Sequence, residues 1–132
     1  MGYSSDFQIA FYLAPSSHPP SDTPLLPFAA LKLWFDETYP KEGADAYGAE
    51  ISYGTDHILV TYYGVKWYEG YDHPKAVTTA TELFAAAFGS DDSDARAHWE
   101  SARIGEEYSD VEKDGSSYCE YRLEVRREIV FN

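Results

Sequence analysis

The sequence predicts an α+β domain in which a mainly antiparallel sheet carries two helices on one face. Three observations lead there. Apolar residues alternate in the runs 6–14, 50–53, 58–63 and 117–131, which is the period of a strand. In 24–39 and 74–88 they recur instead every three or four positions, which is the period of an amphipathic helix. Clusters of proline, glycine and serine separate these runs and punctuate the chain into elements. At 132 residues the chain fits one domain, residues 1–132, with a core of its own.

The first strand, 6–14, sets Phe7, Ile9, Phe11 and Leu13 on one side. Ala10 and Tyr12 leave its other side apolar too, the pattern of a strand covered on both faces. The four prolines and the serines of 15–24 exclude a ladder or a helix interior there. A helix follows from Pro24 or Pro27 to Tyr39, because proline is tolerated in a first turn whose N–H groups have no helical partner. Asp22 or Thr23 is placed to cap it. Phe28, Leu31, Trp34 and Phe35 form its buried side, and Pro40 ends it.

Glu50–Tyr53 and Ile58–Tyr63 read as a hairpin turned at Gly54, lying in the middle of the sheet. Residues 64–73 read as a loop marked by Gly64 and Gly70. A second helix starts near Pro74, capped by Asp72 or His73. Ala76, Ala80, Leu83, Phe84 and Ala87 form its inner stripe, and Gly89 stops it. Residues 90–94 form an acidic turn, and 95–103 reads as strand or short helix.

From Ser117 to Phe131 the alternation is nearly unbroken. Cys119, Tyr121, Leu123, Val125, Ile129 and Phe131 lie on one side, with Glu120, Arg122, Glu124, Arg126 and Glu128 on the other. Asp114-Gly115 is a two-residue hairpin signal. A hairpin closed there sets Ile104 against Val125, Glu107 against Arg122 and Tyr108 against Tyr121, but also sets Arg103 against Arg126. The resulting order is ferredoxin-like, βαββαβ, with an added C-terminal hairpin strand.

Charge bounds the function. Ten Lys and Arg face 23 Asp and Glu, a net −13. Such a chain lacks the cations needed to displace counterions from a phosphate backbone, so direct nucleic-acid binding is excluded. The same field attracts a basic partner surface. It also favours solubility in its own right. The excess is concentrated: residues 36–56 hold six acids and one base, and residues 90–114 hold nine acids and three bases.

A single cysteine forms no intramolecular disulfide, the N-terminus has no signal-peptide pattern, and no apolar run spans a membrane. The initial Met-Gly is followed by Asp6, where a myristoylation signal requires Ser or Thr. The expected location is the cytoplasm.

No cofactor or metal motif is present. Asp56-His57 and Asp72-His73 lack the short i, i+4 spacing of a zinc pair, with or without His98. The SDDSD turn lacks the central Gly and terminal Glu of a calcium loop. Cys119 lies on an apolar strand side and reads as an inert buried thiol. No P-loop, GxGxxG or GxSxG segment occurs. Catalytic residues are therefore not assignable, and the chain reads as non-enzymatic.

What remains are contact surfaces. Trp67, Tyr68, Glu69 and Tyr71 form an aromatic segment of the kind that anchors interfaces, since Trp and Tyr bury large areas at small entropic cost. The acidic groups beside it in sequence are Asp36, Glu37, Glu42 and Asp45, and later Asp91, Asp92 and Asp94. Together they predict a small acidic protein that inhibits a basic, nucleic-acid-handling partner, such as a nuclease, through steering by charge and anchoring by aromatics. It is similar to toxin-immunity proteins and to phage inhibitors of restriction or CRISPR systems, in composition and size only. Two other readings are a ligand-binding or catalytic domain with a pocket at His57, His73 and Asp72 beside the tyrosines, and a structural subunit of a larger assembly.

Overall fold

The structure is a computed structural model, and it describes residues 4–13, 27–39, 49–66, 72–89, 96–105, 110–116, 119, 122–125 and 129–131. Along the chain these form β1 (Ser4–Leu13), α1 (Phe28–Thr38), β2 (Ala49–Tyr53), β3 (His57–Lys66), α2 (Asp72–Phe88), β4 (Ala97–Ile104), β5 (Val111–Gly115), β6 (Leu123–Val125) and β7 (Ile129–Phe131). The first five strands make one antiparallel sheet in the order β2-β3-β1-β4-β5, and β6-β7 make a separate two-stranded sheet.

The apolar character of both sides of β1 follows from its central place. Phe7, Ile9 and Phe11 join Ile58, Val60 and Tyr62 of β3, with Leu31 and Phe35 of α1 and Val77, Ala80 and Phe84 of α2, in one cluster. Both helices therefore cover the same face. The opposite side, with Ala10, Tyr12 and Ala102, is covered by Cys119, Leu123 and the partly buried Val125, Ile129 and Phe131. The described residues thus stack in three layers: helices, sheet and small hairpin. Tyr39 stacks on Phe35 with ring centroids 5.0 Å apart, and its hydroxyl lies 2.9 Å from that of Tyr62. Burial, reinforced by Tyr62, pushes the Tyr39 phenol well above its usual range.

Helix α1 begins after Pro27, which makes no side-chain cap, and the expected caps Asp22 and Thr23 lie outside the described residues. Leu31 and Phe35 are fully buried, each contributing about 1.5–3 kcal/mol. In α2 the buried stripe is Ala76, Val77, Ala80, Phe84 and Phe88. The expected Leu83 and Ala87 are instead exposed, because one step along a helix rotates a side chain by about 100°.

The β2-β3 turn needs Gly54, since a Cβ there would lie 2.1 Å from the His57 ring. Among the described residues the hairpin is not in the middle of the sheet: β3 is internal, but β2 is an edge. β3 also runs further than the sequence implies. Gly64, at φ 61°, lets it take an extra residue at a bulge between Tyr62 and Val65, and the Gly64 N–H donates to Asp6 Oδ1 at 2.9 Å. Val65, expected in a loop, is therefore a buried strand residue paired with Ser5.

The C-terminal third departs most from expectation. Residues 97–104 are strand, and they pair with Val111–Gly115 rather than with 117–131. Asp114-Gly115 ends β5 and is not a two-residue hairpin turn. The single long strand is replaced by β6 and β7, which pair with each other. Like-charge repulsion is one physical reason: the expected register set Arg103 against Arg126, whereas the observed one sets Arg103 against Glu112. Ile104 pairs with Val111, and Val125 with Ile129. Glu107, Tyr108, Tyr121 and Arg126 of the expected register lie outside the described residues.

Candidate partner-binding surfaces

The aromatic segment Trp67, Tyr68, Glu69 and Tyr71 and the acids Glu42, Asp45, Asp91, Asp92 and Asp94 lie outside the described residues. Asp36 and Glu37 are exposed near the end of α1. Asp36 accepts hydrogen bonds from Lys32 Nζ at 3.1 Å and the Tyr53 hydroxyl at 3.2 Å.

Among the described residues, strand acids of the two acid-rich segments lie at opposite sheet edges. Glu50 is on β2 and Glu112 and Asp114 are on β5, at opposite edges of the five-stranded sheet, roughly 19 Å apart at about 4.8 Å per strand. Not all of their acids face outward. Glu100 is 2% exposed and belongs to the interior. Asp110 and Glu112 surround Arg103, whose guanidinium donates to both Asp110 oxygens at 3.1 and 2.7 Å, to Glu112 at 2.9 Å and to Ser5 Oγ at 3.0 Å. The hydrogen bonds to Asp110, aided by Glu112, outweigh burial and hold the guanidinium firmly charged.

Above Arg103 lies a cavity of about 520 Å³ between α2 and the β4-β5 edge. Its floor is Phe7, Trp99, Ser101 and Arg103; one wall is Val77, Thr78 and Thr81 of α2; the other carries Glu112 and Asp114. This groove exists because α2 seats its stripe in the cluster that includes β1 and β3, and β5 continues the sheet past β4. Sequence reasoning missed it. A usable signal was present, since Val111-Glu112-Lys113-Asp114 does not alternate, and all four residues are exposed, as befits an edge strand.

β5 also presents backbone. Gly105 N–H donates to Asp110 C=O at 2.7 Å and Ser116 N–H to Trp99 C=O at 2.9 Å. In an antiparallel pair such doubly bonded positions alternate. With the observed register, the main-chain groups of Glu112 and Asp114 therefore point at β4, and those of Val111, Lys113 and Gly115 point away. Among the described residues no strand pairs with that outer edge.

The sheet's hairpin side holds a polar cluster. The Glu100 carboxylate accepts from the Tyr12 hydroxyl, from the Arg122 N–H at 2.8 Å and from the Leu123 N–H at 2.9 Å. Arg122 lies over the Phe131 ring at 4.2 Å and donates to Asp56 at 3.2 Å. His57 Nδ1 is 2.7 Å from Asp56, and its ring centroid is 4.4 Å from that of Phe131. Burial would raise the Asp56 carboxyl, but the His57 hydrogen bond and the Arg122 charge hold it below the usual value. Burial lowers His98 below the ordinary histidine value, against a smaller opposing pull from Glu100. Cys119 is buried.

The two Asp-His dipeptides are not neighbours. His57 aligns with Tyr12, whereas Pro74 of α2 lines the cavity with Phe7 and Arg103. Phe7 and Tyr12 are about 17 Å apart along β1 at the usual rise. Among the described residues, no three of His, Cys, Asp and Glu converge on a metal position.

Comparison with protein-family models, curated proteins and solved structures gives no match. No helix among the described residues is long and apolar enough to cross a membrane.

Proposed function

We propose that this is a small acidic, non-enzymatic binding protein of the cytoplasm that occupies and blocks the basic surface of a nucleic-acid-handling protein, as toxin-immunity proteins and phage inhibitors of restriction or CRISPR systems do. The observation that carries the reading is the net charge of −13 with exposed carboxylates on both sheet edges. A field of one sign accelerates encounter with a basic surface and disfavours nucleic acid itself. The strand order β2-β3-β1-β4, with a helix after β1 and another after β3, supports describing the core as ferredoxin-like with β5 added. A fold description does not assign function.

The experiment is capture from a host lysate on the immobilised chain, with elution by rising salt. Basic nucleic-acid-binding proteins should be retained at low salt and released as the Debye length shrinks to about 3 Å near 1 M. Replacing Asp91, Asp92 and Asp94 by Lys should weaken retention. If no basic protein is held at low salt, or if the triple reversal changes nothing, the reading fails.

A further inference from the structure

We infer that the groove between α2 and β5 receives an extended, lysine- or arginine-bearing segment of a basic partner, which adds to the five-stranded sheet as a sixth strand beside β5. The inference rests on the proposed function and names the surface that performs it.

Three features meet at this one place. The first is backbone: Val111 and Lys113 turn their N–H and C=O groups outward, at an edge unpaired among the described residues, whereas the Gly115 N–H donates to Asp114 Oδ1 at 2.8 Å. An incoming strand satisfies these groups with main-chain hydrogen bonds that are indifferent to its sequence. The second is the cavity beside that edge. Strand side chains alternate, so every second side chain of an added strand would enter it. There the lining includes Trp99, Val77 and the hydroxyls of Thr78, Thr81 and Ser101. The methylene stem of Lys or Arg suits such apolar surface, and its head can pair with the carboxylates in the lining.

The third feature is charge. Glu112 and Asp114 pair with Arg103 and Ser101, which places both carboxylates on the groove side of β5. Lys113 pairs with Ala102, whose side chain belongs to the hairpin side. Arg103 lies beneath the rim with a side chain 9% exposed, flanked by Asp110 and the 72%-exposed Glu112. Lys113 also borders the cavity, but on the groove side an approaching strand meets Glu112 and Asp114 before Arg103. A segment with alternate basic residues matches both the spacing and the sign.

The test uses the full chain and fluorescein-labelled, terminally blocked peptides of alternating lysine and valine, followed by fluorescence anisotropy. Counterparts carry glutamate for lysine, or N-methyl groups on one or the other set of alternate amides. The lysine peptide should bind and the glutamate peptide should not. Lys113→Pro removes an outward N–H without touching the β4 ladder, and it should weaken binding about tenfold, the equivalent of one hydrogen bond. Electrostatics alone gives the opposite sign, because the variant is more acidic. Asp114→Lys should weaken binding as well. One N-methylated register should lose binding while the other keeps it, a result that needs no variant to fold.

If the lysine peptide fails to bind, or binds Lys113→Pro as tightly as the wild type, or binds equally in both methylated registers, the inference is overturned. Salt-dependent capture of basic proteins by the whole chain would then still stand or fall separately, as the test of the broader function.

Discussion

Glu100 offers the sharpest test of how the layers are joined. It sits on β4 with 2% exposure, and its carboxylate receives the Tyr12 hydroxyl and the backbone N–H groups of Arg122 and Leu123. It thereby fastens the start of β6 to the sheet. In Glu100→Gln the amide oxygen can replace Oε1, which accepts from Tyr12 and Arg122. The new NH₂ then faces the Leu123 N–H, donor against donor. One hydrogen bond is lost and a buried donor is left unmatched, a cost of about 1–3 kcal/mol. Glu100→Ala strands all three donors and removes the side chain's packing, so about 3–5 kcal/mol is expected, at the upper end for single substitutions. Urea denaturation gives the free energies. Hydrogen exchange at the Arg122 and Leu123 amides reads the local consequence, which should be faster exchange in both variants. If both variants lie within about 0.5 kcal/mol of wild type, or if those two amides keep their protection, then Glu100 does not hold the hairpin.

Other substitutions probe the remaining packing and charges. Arg103→Lys keeps the charge but not the fork that grips Asp110, and should cost about 1–2 kcal/mol in urea denaturation, discounted because Glu112 is largely exposed. Leu83→Gln should leave the thermal midpoint nearly unchanged because Leu83 is 47% exposed, whereas Phe84→Ala should cost about 3–5 kcal/mol from a fully buried site. His98 is the pH probe. Burial lowers its proton affinity in the folded chain, so just below the ordinary histidine value the unfolded chain binds more protons. Stability must therefore fall as pH drops through that region, and His98→Asn should flatten the slope between about pH 5 and 7. A slope of the opposite sign in the wild type, or an unchanged one in the variant, would show that His98 titrates normally.

Local order was legible in the sequence wherever one residue's neighbours along the chain settle its environment. Phe7, Ile9 and Phe11, with Ala10 and Tyr12 opposite, mark a strand covered on both faces, and β1 is that central strand. The spacing of Leu31 and Phe35 locates α1, and of the two starts read from the sequence, Pro24 or Pro27, the helix takes the later. The net charge of −13 needs no coordinates at all.

Chain path and pairing were decided only by the tertiary structure. The alternation from Cys119 to Phe131 defines an apolar side, and Cys119, Leu123, Val125, Ile129 and Phe131 do lie together against the sheet. Yet a straight strand and a doubled-back hairpin give the same pattern. Leu123 pairs with Phe131 and Val125 with Ile129, and directly paired residues face the same way. Periodicity fixes which side of a strand is apolar and is silent about which strand lies beside it. The same limit hid the burial of Glu100, which reads as one more acid in a charged run until two backbone N–H groups from residues more than twenty positions away close on it. It hid the groove as well, because β5 is an edge only by virtue of pairing with β4 alone among the described strands. Sequence sets the character of each surface, and long-range pairing decides which surfaces meet.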